Sequence, residues 1–159
     1  MSDQNTETYQ VVFNSQGSNT LTPVATAINR TAITYDINWE AIIPRNKYNK
    51  FRCQFTFKST IHVGHNQDIG FVNMNLGRAN IYDGVQQSQN LGIIYQVYPN
   101  TTVGSGRSYF HCASDDNNEF VIDYPNNHMI TIRLNAFNGN IMVNMPHYIL
   151  TLNLTGFNV

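Results

Sequence analysis

The sequence predicts an all-β fold, an antiparallel sandwich, on three observations. Apolar and polar residues alternate at period two through several segments. Clusters of Asn, Asp, Gly and Pro separate those segments at short intervals. No window carries an amphipathic helix longer than a turn or two. The alternation is plainest from Phe51 to Lys58, where Phe51, Cys53, Phe55 and Phe57 point one way and Arg52, Gln54, Thr56 and Lys58 the other. Such a segment is a half-buried strand with one wet face.

The elements follow in order. From Ser2 to about Pro23 the chain is rich in Ser, Asn, Gln and Thr, with one strand-like run, Tyr9 to Phe13. Residues 1–23 therefore read as a polar, mobile or partner-bound arm, and 24–159 as a single β domain. Strands are expected over Ala32 to Trp39, Phe51 to Lys58, Ile69 to Leu76, Leu91 to Tyr98, Ser108 to Ala113 and Phe120 to Tyr124. Ile130, Ile132 and Leu134 alternate with polar neighbours, as do Tyr148, Leu150, Leu152 and Leu154. Turn chemistry lies between them at Asn66-Gln67-Asp68, Asp83-Gly84, Gly104-Ser105-Gly106, Asp115 to Asn118, Pro125-Asn126-Asn127 and Asn138-Gly139-Asn140. About eight strands so spaced predict a sandwich, a single eight-stranded jelly roll.

Composition narrows the function. At 159 residues the chain is one domain, large enough to bury roughly 68–70% of its unfolded surface. Charged residues are only 12%, far below the roughly 25% of soluble domains, and 23 Asn and 9 Gln stand against 3 Lys. A polar surface with little charge has little long-range repulsion and suits a subunit that packs on neighbours; an AT-rich genome accounts for the same bias. With a net charge of −1 and no Lys or Arg in the first 29 residues, no basic arm is present to neutralise phosphates, so no direct nucleic-acid contact is expected. The opening MSDQNTETYQ has neither region of a signal peptide, and no apolar run reaches a membrane span. Synthesis in a cytoplasm is the expectation. Cys53 and Cys112 lie on core faces and are expected as buried thiols. Asn29, Asn100 and Asn153 begin sequons that are chance matches in so Asn-rich a chain.

The sequence carries no catalytic motif, and no enzyme activity, cofactor or metal is expected. His62 and His65 are three apart, on opposite faces of a strand unless Gly64 marks a turn; His111, His128 and His147 stand alone. The run Asp115 to Glu119 is oxygen-rich but lacks the glycine and distal Glu of a calcium loop. The ten carboxylates are scattered, and Gly104-Ser105-Gly106-Arg107 precedes a strand where a phosphate loop needs a helix. Trp39, the single tryptophan, is expected as a core anchor closing a strand, with Pro44 ending the pairing.

At Ile37 to Pro44, then Tyr48 and Phe51 to Lys58, the chain resembles single jelly-roll capsid components of large icosahedral DNA viruses, of the penton or minor-capsid kind. The resemblance extends in style over roughly 25 to 157. It implies a structural subunit of a virion that assembles with itself, as a pentamer at a vertex or as a trimer, and touches neighbouring capsid proteins. The apolar C-terminal strand ending Leu154 to Val159 is then a candidate subunit contact. The alternative is a lectin-like or trimeric tumour-necrosis-factor-like module that binds glycan or receptor, with Tyr82, Tyr95, Tyr98, Tyr109 and Tyr124 as its candidate exposed aromatics.

Overall fold

A computed structural model describes residues 6–16, 32–60, 62–63, 69–76, 79–82, 87–97, 107–112, 119–136, 138, 140–142 and 147–159. These form β1 (Glu7–Asn14), β2 (Ala32–Asp36), α1 (Trp39–Ile42), β3 (Lys50–Ser59), β4 (His62–Val63), β5 (Ile69–Met74), β6 (Ala79–Tyr82), β7 (Gln87–Val97), β8 (Arg107–Cys112), β9 (Phe120–Asp123), β10 (Met129–Ala136) and β11 (Tyr148–Phe157). The fold is all-β, as the alternation predicts. Every pairing is antiparallel, within one curled sheet of order β1-β11-β3-β8-β7-β5-β10-β2. Three short strands sit off this path: β4 beside β8, β6 beside β7, and β9 beside β3. β8 and β9 run along successive stretches of the same β3 edge, β8 at Phe57–Lys58 and β9 at Lys50–Cys53.

The inward positions are the ones the period predicts. Phe51, Cys53, Phe55 and Phe57 on β3, Leu150, Leu152 and Leu154 on β11, and Ile130, Ile132 and Leu134 on β10 are buried in one core with Val72, Met74, Ile94 and Phe110. Fully burying a side chain of this size contributes about 1.5–3 kcal/mol. The curl brings the two ends of the sheet path together. Phe13 of β1 meets Tyr35 of β2 edge-on at 5.1 Å, and the Tyr35 hydroxyl donates to the Asn14 carbonyl at 3.1 Å. At its Asn14 end the seam between β1 and β2 is thus bridged by side chains, with no strand pairing across it among the described residues.

Several elements differ from the sequence reading. The strand expected from Ala32 to Trp39 stops at Asp36, and Trp39 opens a single helical turn. The Asn38 side chain accepts from the Ala41 amide there, a local bond that competes with strand pairing. The strand expected at Tyr9 to Phe13 spans Glu7–Asn14 and pairs with β11 along its whole length. β7 begins at Gln87, four residues before the expected start, because the polar run Gln87 to Asn90 pairs with β6. β4 and β6 themselves are too short to show a period. The expected turns at 66–68, 83–84, 104–106 and 115–118, and positions 1–5 and 17–23 of the arm, lie outside the described residues.

Candidate interaction surfaces

The wet face of β1, β11, β3 and β9 is built from the polar half of the alternation, and the register aligns those residues in rows across the strands. Thr8, Thr155, Arg52 and Val121 form one row; Gln10, Asn153 and Gln54 form the next. The rows are cross-linked. Thr8 and Thr155 hydroxyls lie 2.9 Å apart, Gln10 Nε2 donates to Asn153 Oδ1 at 3.0 Å, and Gln54 Nε2 donates to Glu119 at 3.0 Å. Arg52 holds Glu119 at 3.0 Å and lies over the Phe157 ring. Lys50 is paired with Asp123. Amides and hydroxyls are frequent on this surface, and Arg52 and Lys50 are paired locally, while the exposed Lys58 on the same face lies over the Tyr109 ring. It offers donors and acceptors to a partner.

A second feature sits where α1 meets the turn before β10. Trp39 is fully buried, and its indole N–H donates to the Asn127 carbonyl at 2.8 Å. His128 Nδ1 lies 2.7 Å from the Ile37 carbonyl and therefore carries the proton. The Tyr124 hydroxyl donates to the Ile43 carbonyl at 2.9 Å, and burial pushes its acidity down, raising its pKa. These bonds frame a hollow of about 270 Å³ lined by Trp39, Glu40, Arg45, Tyr124, Pro125, Asn126 and His128. The Glu40–Arg45 pair across its rim, at 3.0 Å, is more than half exposed on both sides and contributes little to stability.

A third cluster ties β1 to the turn before β3. Lys47 pairs with Glu7, and the Tyr9 hydroxyl donates to the same carboxylate at 2.6 Å. The Lys47 bond, then the Tyr9 bond, hold the Glu7 carboxyl below the usual range. Burial, then the hydrogen bond to Glu7, push Tyr9 up to about 12. The C-terminus docks beside this cluster: Asn49 N–H donates to Asn158 Oδ1, and Asn158 Nδ2 donates to the Lys47 carbonyl, both at 3.1 Å.

The residues singled out from sequence are dispersed. His65, the His62 side chain, Gly104 to Gly106 and Asp115 to Asn118 lie outside the described residues, as do Asn29 and Asn100. His111 packs edge-on to Tyr109, whose ring lies under Lys58. Among the described residues no three His, Cys, Asp or Glu side chains gather where they would hold a metal ion. Cys53 and Cys112 are buried free thiols, and burial pushes Cys53 up to about 12. Trp39 is an anchor, though at the head of a helix and not at the end of a strand. Tyr95 is exposed while Tyr109 and Tyr124 are half-buried; Tyr98 and the Tyr82 side chain are not among the described groups. The C-terminal strand is internal to the subunit, between β1 and β3, so only its outer row from Ile149 to Phe157 is open to a partner. Sequence reasoning passed over the outer amide rows. Their signal was present in the polar positions of the alternation, but which strands stand side by side was not. Among the described residues no helix is long and apolar enough to cross a membrane. No protein-family model matches the chain, and no curated protein matches it either.

Proposed function

We propose that the chain is a structural subunit of an icosahedral virus capsid, a single jelly roll acting as a penton or minor capsid protein through self-assembly and contacts with neighbouring capsid proteins. The observation that carries this reading is the strand order. Take β1, β2, β3, β5, β7, β8, β10 and β11 as first to eighth along the chain. First then pairs with eighth, second with seventh, third with sixth and fourth with fifth. That nesting, a long hairpin rolled back on itself, supports the jelly-roll reading. Fold alone does not assign function. The capsid reading rests in addition on the resemblance over Ile37 to Pro44 and Phe51 to Lys58, and on an amide-rich outer face with most of its charges paired, suited to close packing of copies.

The glycan- or receptor-binding alternative draws on the exposed Tyr95 and the hollow beside Trp39. Light scattering coupled to size exclusion separates the readings. A native mass that is a five-fold multiple of the 18.1 kDa chain supports the vertex role. A three-fold mass leaves minor-capsid and trimeric binding roles to be divided by a glycan-binding assay. A chain that stays monomeric at all concentrations, and does not join particles when co-expressed with capsid partners, overturns the capsid reading.

A further inference from the structure

Among the described residues, the edge of β1 away from β11 carries no paired strand. In an antiparallel strand the N–H and C=O of one residue point to the same side, and successive residues alternate. The Ser15 amide donates to the Tyr148 carbonyl, so odd-numbered residues of this strand face β11. The Asn14 carbonyl confirms the other parity, because it accepts from Tyr35 on the far side of β1. Thr8, Gln10 and Val12 therefore present their backbone N–H and C=O to the open edge, and among the described residues no strand pairs with them. They recur every second residue, about 6.8 Å apart, the repeat a further strand requires.

Edge strands that stay single are ordinarily guarded by Lys, by Pro, by a bulge or by brevity. β1 has none of these. It is eight residues long, Glu7-Thr-Tyr-Gln-Val-Val-Phe-Asn14, its register with β11 is unbroken, and its only charge, Glu7, is already held by Lys47.

We propose that this edge pairs with the same edge of a second copy, about a two-fold axis passing between the two Gln10 residues. A second copy fits this edge because its outward groups, Thr8, Gln10 and Val12, are spaced symmetrically about Gln10. With Gln10 opposite Gln10 of the other copy, Thr8 falls opposite Val12 and Val12 opposite Thr8. All three outward-facing residues then form hydrogen-bonded pairs, each exchanging two bonds. Shifting the pairing by two residues toward Asn14 calls on a carbonyl that Tyr35 already occupies; the opposite shift loses a pair. In the favoured register Glu7 faces Phe13 of the other copy, so no like charges are opposed. Exposed Thr8, Gln10 and Val12 lie on the outer face of both copies. The Gln10–Asn153 amide bond is then repeated on each side of the axis, and the outer rows run on from one subunit into the next.

This pairing adds a two-fold contact to any assembly the subunit forms by other contacts, so it is tested separately from the vertex role. Gln10→Pro removes an outward N–H while leaving the odd-numbered bonds to β11, the position at which an edge strand tolerates proline. Gln10→Ala removes only the side chain. The expected result is a native mass for the wild type and Gln10→Ala that is at least twice that of Gln10→Pro. Equal masses for all three proteins overturn the pairing. Should Gln10→Pro fail to fold, hydrogen exchange of the wild type decides. Amides of Thr8, Gln10 and Val12 that slow with rising protein concentration, while those of Tyr9, Val11 and Phe13 stay slow throughout, support it. Edge amides that exchange at one rate at every concentration overturn it.

Discussion

In the first half of the sheet, β11 runs between β1 and β3 with eight and ten consecutive residue pairs and no shift in register. In the second half, β10 meets β2 and β5 over five pairs each, and β5 slips against β7 where Val72 pairs with Gly92 but Asn73 with Asn90. Leu91 is the extra residue of that bulge, and the kink turns its side chain into the core. One half is regular and long; the other is shorter and adjusted. Regularity aligns the outer polar groups into rows and leaves the outer edge of β1 without a paired strand among the described residues. The bulge offers the second half some freedom to absorb change, at the expense of such rows.

The largest expected effect tests that freedom directly. Leu152→Ala removes a fully buried side chain at the centre of β11, and Leu91→Ala removes one at the bulge. Both fall in the range of about 2–5 kcal/mol for such truncations, with Leu152→Ala near the top and Leu91→Ala near the bottom, as read by urea unfolding. Equal costs would break the distinction between the halves.

Next come the two glycines at which the chain passes close to a neighbour. A Cβ on Gly156 of β11 would meet the Tyr48 ring at 2.4 Å, whereas one on Gly70 of β5 would meet the flexible end of Met142 at 2.8 Å. Gly156→Ala is therefore expected to cost about 1–3 kcal/mol, as overpacking against a rigid ring does. Gly70→Ala is expected to cost less, because the thioether can move aside, although Asn135 O and Ile94 also stand near at 3.2 Å. Thermal melts of the two variants give the order.

The smallest effect concerns the fastening of β1. Glu7 is held below the usual carboxylate range by Lys47, then by Tyr9. A depressed folded-state pKa stabilises above the unfolded value and is lost as pH falls through the folded value. Hydrogen exchange of Tyr9 and Val11, corrected for the intrinsic pH dependence, should therefore accelerate on acidification through and below the carboxylate range. The change should be absent in Glu7→Gln. Both carboxylate and ammonium are solvent-exposed, so the shift is expected to be slight and to shrink further in salt.

Much of the fold was legible where period two was strong. Phe51 to Phe57, Ile130 to Leu134 and Tyr148 to Leu154 face inward as their alternation requires. It was illegible where another interaction outweighed propensity. Asn38 caps a helical turn in a segment that reads as strand, and Gln87 to Asn90 extends β7 only because β6 lies beside it. The outer rows were half legible: Gln10, Gln54 and Asn153 were visibly polar positions, but a single chain order does not say that they are neighbours.

What the sequence determined by itself was the class of fold and which side of each long strand is wet, because both follow from a local repeat set by backbone geometry. The tertiary structure alone decided that β11 separates β1 from β3, that Tyr35 reaches Asn14 across the seam, and that the backbone groups of Thr8, Gln10 and Val12 face away from β11, toward an edge with no paired strand among the described residues. Those are relations between residues far apart in the chain. They depend on which pairings close the sheet around one core, and no period within a strand encodes its neighbour.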